Sequence, residues 1–241
     1  MKNLSKVGLL VLLLGISGCV SNSGCRAVVG SGRVVTETRA VSGWDQVSIS
    51  GSGKLVVTQG AEESLTIRTD DNLLPLIESK VSGGRLAIGP TNNLKPTGTI
   101  FYTLRLKNLR SLQMSGSLEA QVDELATDNL TVQVSGSGKV MIGKLAAKQL
   151  EVALSGSGEV MVAGQVKWET LALSGSGHFE GTDLASAQAD AQVSGSGTVT
   201  VWAREHLSAE VSGSGRVNYY GSATVESQVS GSGGVRNLGP K

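Results

Sequence analysis

The tetrapeptide Ser-Gly-Ser-Gly recurs along this chain at a spacing that few folds can accommodate. It stands at Ser50–Gly53, Ser135–Gly138, Ser155–Gly158, Ser174–Gly177, Ser194–Gly197, Ser212–Gly215 and Ser230–Gly233. A degenerate copy, Ser115-Gly116-Ser117-Leu118, opens the main array, and from it the intervals are 20, 20, 19, 20, 18 and 18 residues. A flexible Gly/Ser linker would lack any ordered flanks. Here the flanks are ordered. The residue before the first serine is always apolar (Met114, Val134, Leu154, Leu173, Val193, Val211, Val229), and the residue five after it is mostly so (Val140, Val160, Phe179, Val199, Val217). Polar residues, often glutamine, occupy the positions between. Period-2 alternation of this kind marks half-buried strands.

Each unit therefore reads as strand, Ser-Gly-Ser-Gly, strand and a short polar connection. By parity both glycines fall on the core side, where a missing Cβ permits a bend. Both serines then point outward and stack coil upon coil, with hydroxyl and amide ladders satisfying one another. Units repeating at this period predict an all-β, right-handed parallel β-helix, or β-solenoid, of 18–20 residues per coil, each coil burying its apolar face against its neighbours. Six or seven coils from Ser115 would rise roughly 30 Å. The competing fold is an antiparallel sandwich or barrel of Gly-Ser hairpins. It ranks second because hairpins do not require residue-for-residue register over six units. The composition agrees, with 33 glycines and 3% aromatic residues, which suits a narrow interior of Val, Leu and Ile.

The N-terminus bears on compartment. Lys2 and Lys6 precede an apolar run from Val7 to Leu14, which ends in Ile16-Ser17-Gly18-Cys19. That layout is a secretory signal too short to span a bilayer comfortably. Its end resembles the lipobox of bacterial lipoproteins. The resemblance implies cleavage after Gly18, acyl chains such as palmitate on Cys19, and, with Val20 rather than Asp following, the outer membrane. The expected domains are then a signal at 1–18, a lipidated tether at 19–27 and a β-solenoid at 28–241. Within the last, 28–114 is irregular and 115–241 carries the regular repeats. Cys25 is the only other cysteine, so no disulfide framework exists once Cys19 is lipidated; a Cys19–Cys25 disulfide is the alternative. Removal of the two lysines takes the formal net charge from +1 to about −1, a balance that offers nothing to nucleic acid.

Between the first copy and the array lies Asp70-Asp71-Asn72-Leu73-Leu74-Pro75, where Asp71 or Asn72 could cap a helical turn with Pro75 inside it. Together with Trp44-Asp45-Gln46-Val47-Ser48-Ile49-Ser50-Gly51-Ser52-Gly53 and the array, this segment makes the chain resemble the bacterial family described as putative auto-transporter adhesin, head GIN domain. The resemblance covers nearly the whole chain after the tether. It implies a right-handed β-helical envelope protein, often a lipoprotein, with no established activity. No strands for a membrane barrel are present, so the lipid rather than a translocator would hold it.

Catalytic signals are weak. His178 and His206 stand apart, in an outward column and in the polar connection Arg204-Glu205-His206, without metal-ligand spacing. The Gly-Ser-Gly copies lack triad partners, and no helix follows them to cradle phosphate. Asp183 and Asp190 read as turn residues. The expectation is a chain with no catalytic residues, metal or cofactor. It would act as a lipid-anchored surface for a glycan or an envelope protein, or else as a structural, self-associating component; a polysaccharide-active enzyme comes third. One outward feature stands out. Trp202 and Tyr220 fall eight residues after successive serines, so they are expected as neighbours on adjacent coils, with Thr200 and Asn218 sharing their parity. Such a platform can stack on sugar rings, or it can pack against the C-terminal tail.

Overall fold

The computed structural model describes residues 27–241; the signal segment, Cys19 and Cys25 lie outside the described residues. The chain is a parallel β-solenoid of about six turns, with 73% of its residues in strands. The strands of the first part are β1 (Val28–Val29), β2 (Val34–Arg39), β3 (Gln46–Gln59), β4 (Ser64–Asp70), β5 (Ile77–Ser82), β6 (Arg85–Pro90), β7 (Leu94–Lys95) and β8 (Phe101–Leu106). Those of the array are β9 (Ser111–Ala126), β10 (Asn129–Gly136), β11 (Lys139–Ala146), β12 (Gln149–Gly156), β13 (Glu159–Gly175), β14 (His178–Gly195), β15 (Thr198–Gly213), β16 (Arg216–Tyr220), β17 (Thr224–Gly231) and β18 (Gly234–Asn237).

Throughout the array every pairing is parallel, which excludes hairpins at the Gly-Ser steps. The register runs serine on serine and glycine on glycine: Ser135 pairs with Ser155, Ser155 with Ser174, Ser174 with Ser194, Ser194 with Ser212 and Ser212 with Ser230. The parallel stack also reaches back to β3, which pairs with β9 without a break from Gln46↔Ser111 to Val57↔Val122. Inward columns such as Leu112, Val132, Val152, Leu171, Ala191 and Ala209 are all buried. At 1.5–3 kcal/mol for each large apolar side chain fully buried, roughly, these columns supply the main cohesive term.

The glycines divide into two kinds. The second glycine of each copy (Gly138, Gly158, Gly177, Gly197, Gly215) is buried over the core as its parity requires. The first is not, contrary to the alternation rule. Gly136, Gly156, Gly175, Gly195 and Gly213 have φ between 105° and 115° and are exposed or half-buried. A backbone in this region breaks the strand's two-residue alternation and turns the chain at the corner. Position also matters: a Cβ on Gly156 would stand 2.7 Å from the carbonyl oxygen of Gly136 in the preceding coil. The first glycine therefore serves both a dihedral and a close backbone approach.

Two further expectations are corrected. The polar connections are not loops: β13, β14 and β15 run through them, so His206 and Asp190 lie in strand, paired with Gln188 and with Thr170 and Ser208 respectively. The segment after β4 forms a single 3-10 turn, Leu74–Leu76, whose N-cap is Leu73, with no side-chain cap bond. Asp71 and Asn72 face the N-terminal segment instead. Asn72 accepts the Ser31 amide (2.9 Å) and donates to the Val29 carbonyl (2.8 Å), while Arg33 donates to Asp71 (2.7 Å). Asp70, nearly buried, accepts from the Gly32 amide and from both the amide and hydroxyl of Thr97. These bonds, those from Thr97 foremost, hold its carboxyl below the usual range. The acidic pair is a clasp between chain segments.

The corner geometry predicts an asymmetry within one tetrapeptide. Gly156→Ala should destabilise the fold by about 2 kcal/mol or more, from the strained dihedral and the clash, whereas Ser157→Ala should be close to neutral. Denaturant unfolding of the two variants measures the difference.

Candidate functional site

The outward faces of the coils are the surface on which a site can be built, because successive side chains there are spaced by the strand separation of about 4.8 Å. Charges form one ladder. Lys139 pairs with Glu159 at 2.9 Å and Lys54 with Glu119 at 3.0 Å, each bridging registered neighbours across coils. All four side chains are 37–49% exposed, so each pair is worth at most about 1 kcal/mol. His178 stands in this column in register with Glu159 and lies 3.4 Å from Glu180 on its own strand.

The second ladder forms a groove. Ser135, Ser155, Ser174, Ser194 and Ser212 line it across five coils, and its volume is about 510 Å³. The groove hydroxyls stand one above another at the strand spacing of about 4.8 Å. Those hydroxyls are available to water or a ligand. The adjacent column reads Gln133, Ala153, Ala172, Gln192, Glu210, and the two alanines leave a hollow between longer amide side chains. The groove is roughly 19 Å long by the strand spacing. Its rim carries hydroxyl and amide groups with a single carboxylate, Glu210, and its floor lies over the buried Leu154 and Leu173. Alanine at 153 and 172 is visible in the sequence. That it opens a hollow follows only from the register.

The aromatic pair is placed as its spacing predicts: Trp202 pairs with Tyr220, and Thr200 with Asn218. The platform is not open, however. Lys241 Nζ lies 5.7 Å from the Trp202 ring centre and 5.4 Å from that of Tyr220, and it pairs with Asp183 at 2.8 Å. Both rings are half-buried under this cation–π contact. Thr200 is buried, not outward. After Glu180 the register shifts, so that Gly181–Leu184 face the single residue Val201, and this bulge brings Gly181 against the Thr200 carbonyl. Cys19, the lipidation candidate, lies outside the described residues.

One ionisable group was not singled out from the sequence. Glu169 stands in the inward column Leu150, Glu169, Ala189, Leu207 and is fully buried, with burial pushing its carboxyl up to about 8. Its Oε1 lies 2.8 Å from Ser186 Oγ, which lies 3.2 Å from the Trp202 carbonyl. A protonated Glu169 can donate to Ser186, which in turn donates to that carbonyl. Oε2 has no partner. The group is enclosed in the core, away from the groove, and has no substrate access. Among the described residues, no cluster of three or more His, Cys, Asp or Glu side chains could hold a metal ion, and no helix is long and apolar enough to cross a membrane.

In class the chain is a β-solenoid with a hydroxyl-lined groove and a charge ladder on its outer faces. The chain belongs to the family described as "Putative auto-transporter adhesin, head GIN domain", whose profile matches residues 43–223. Its fold is similar to that of a putative adhesin from Bacteroides fragilis, with a TM-score of 0.83 at 24% identity over 88% of this chain and 100% of that one. A putative lipid binding protein from Parabacteroides distasonis is similar at a TM-score of 0.74, again at 24% identity with 88% and 100% covered. A putative adhesin from Parabacteroides merdae gives a TM-score of 0.70 at 20% identity, over 88% and 99%. No curated protein matches the chain.

Glu169 carries a signed pH prediction. Its folded-state affinity for a proton exceeds that of the unfolded chain. The favourable state is therefore complete below the ordinary glutamate range near 4.5 and is lost as pH rises toward about 8. Glu169→Gln should match the wild-type melting temperature at pH 4–5. It should exceed it at pH 8, by a stability difference on the order of 4 kcal/mol. Thermal melts at the two pH values test this, and a pH-independent difference would contradict it.

Proposed function

We propose that the chain is a non-enzymatic cell-envelope protein, held in the outer membrane by acyl chains on Cys19, which uses the serine-lined groove to bind a neutral glycan. The observation that carries this reading is the groove itself. It is rigid because every rung is fixed by parallel pairing, and its five serine hydroxyls repeat along its length. Hydroxyl and amide groups match the hydrogen-bonding rim of sugars, and a shallow apolar floor matches their C–H faces. A repeating ligand suits a repeating surface. The family description and the names of its structural neighbours fit an adhesive role. Burial of Glu169 and the clasp role of Asp70 and Asp71 leave those carboxylates outside any hydrolytic pair facing the groove.

The Trp202–Tyr220 platform is the second place a sugar could stack, but only by displacing Lys241. The two sites separate by mutation. Ala153→Gln with Ala172→Gln completes the glutamine column already present on neighbouring coils, so it fills the hollow without disturbing the fold. On a glycan array that detects wild-type binding, this double variant should lose at least tenfold in affinity, about 1.4 kcal/mol. Trp202→Ala and Tyr220→Ala should change binding little; the opposite pattern would move the site to the aromatic pair. For the anchor, Cys19→Ala should transfer the protein from the membrane to the soluble fraction, and continued membrane association would overturn the lipid assignment.

A further inference from the structure

The two poles of the solenoid are finished differently. At the N-terminal pole the parallel stack ends in antiparallel strands: β2 lies on β4, and β5 lies on β6. These outer strands carry Glu37, Arg39, Glu78 and Lys80, charges that blunt an edge against further pairing. At the C-terminal pole β17 and β18 form the last coil, and among the described residues no strand pairs with their far edge. The core stops there unclosed. Val229 is 46% exposed, whereas Val211 and Val193 in the same column are 1% and 2% exposed. Val225 and Val235 are half-buried below the fully buried Leu207 and Val217.

The backbone on that edge is also free in a defined pattern. In the outward column, Thr131 donates its amide back to Arg110 in the preceding coil. Glu226 occupies the same column by continuous register. Outward residues of such strands therefore bond backward and inward residues bond forward. In β17 the forward-bonding residues are Val225, Ser227 and Val229, and among the described residues no strand lies ahead of them.

We propose that this edge is a self-recognition surface: β17 pairs antiparallel with β17 of a second copy, about a twofold axis through Ser227. The sequence Thr-Val-Glu-Ser-Gln-Val-Ser is self-complementary in that register. Val225 faces Val229 across the joint, Glu226 faces Gln228, and Thr224 faces Ser230. Each of Val225, Ser227 and Val229 then sits in a hydrogen-bonded pair, giving about six backbone hydrogen bonds. The neighbouring even registers are poorer. One opposes Glu226 to itself, a like-charge pair, and the other sets Val225 against Gly231. Odd registers would put core-facing side chains against solvent-facing ones. On the axis two side chains meet about 5.5 Å apart, and the column that holds alanine in the two preceding coils holds the small Ser227 there. A twofold interface is closed, so the product is a dimer and not a fibre.

The N-terminal segment leaves each protomer from the opposite pole, where β1 pairs with β7 and Gly32 bonds Asp70. Joined copies therefore form one rod with their tethers at its two far ends. This deepens the adhesive reading by naming a partner, a second copy; that the two far ends each carry a lipid anchor, so that the rod would bridge two membranes, rests on that reading. The joint itself depends on neither the lipid nor the groove.

The test uses the mature chain with Cys19→Ala and Cys25→Ser, which removes both the lipid site and the native thiols. Sedimentation should show a monomer–dimer equilibrium, and X-ray scattering should show a dimer whose longest dimension is close to twice the monomer's. Ser227→Cys in that background should oxidise to a covalent dimer, while Thr224→Cys should not. Val229→Lys, at a site already exposed, should keep the strand-rich circular dichroism spectrum and weaken association at least tenfold. A chain that stays monomeric to near-millimolar concentration would overturn the proposal. So would a dimer indifferent to Val229→Lys, or one that crosslinks no better through Ser227→Cys than through Thr224→Cys. Glycan binding and membrane fractionation are read independently, so their failure would leave this result standing.

Discussion

The solenoid depends on a hydrogen bond repeated at one corner. The carbonyl of the first glycine in each tetrapeptide accepts the amide of the second serine one coil on: Gly116 from Ser137 at 3.0 Å, Gly136 from Ser157 at 2.9 Å, Gly156 from Ser176 at 2.9 Å, and so on to Gly213 from Ser232 at 2.9 Å. Corners are where a β-solenoid is weakest, because strand pairing is interrupted there and buried backbone groups need partners. This chain continues the ladder through the bend. A side chain on the accepting glycine would meet the coil before it, and a positive φ would strain any other residue. The first glycine recurs from coil to coil within the molecule because the corner admits no side chain there.

Rigid corners fix everything downstream. Once serine stands on serine, each outward column becomes a ladder whose chemistry can be read vertically. Alternating signs give the Lys–Glu pairs, glutamine and alanine give the hollow, and serine gives the row of hydroxyls. Those hydroxyls line the groove in a row, which turns a structural repeat into a surface with hydrogen-bonding capacity. The same fixed register makes the inner columns intolerant. Glu169 occupies a place that elsewhere holds leucine or alanine, and the protein accommodates it as a neutral acid bonded to Ser186.

Much of this was legible beforehand because period and parity are properties of the sequence. The strand positions, the parallel register and the adjacency of Trp202 to Tyr220 all follow from aligning copies on the first serine. What parity could not supply were the places where alternation breaks. A positive φ at the first glycine shifts the phase, so one glycine of each pair faces out. Bulges such as Gly181–Leu184 change which residues are covered, and they bury Thr200. Long-range contacts were invisible altogether: Lys241 reaches the aromatic pair, and Asp70 closes on Thr97 and Gly32. Asp71 and Asn72 looked like helix caps because their local chemistry is the same whether the amide they accept is near or distant. Glu169 could have been found, since its column is readable. It sits, however, in the connecting stretch, whose composition is polar and hides the strand that runs through it.

Repetition and specificity therefore occupy different residues. The tetrapeptide repeats on every coil, so its serines offer the same contact at each rung and cannot by themselves encode specificity for any one ligand. Specificity has to come from columns where the corner imposes nothing, and there the departures cluster. Alanine replaces glutamine on two middle coils, opening the groove. At the terminal coil serine and asparagine stand at Ser227 and Asn237, in columns that earlier coils fill with Ala209 and Tyr219. That last coil is neither fully apolar, as a continuing stack would require, nor fully polar, as a solvent-facing cap would be. Valines at 225, 229 and 235 beside a small hydroxyl leave apolar area open at that pole, and it is this area that the proposed pairing of two copies would cover.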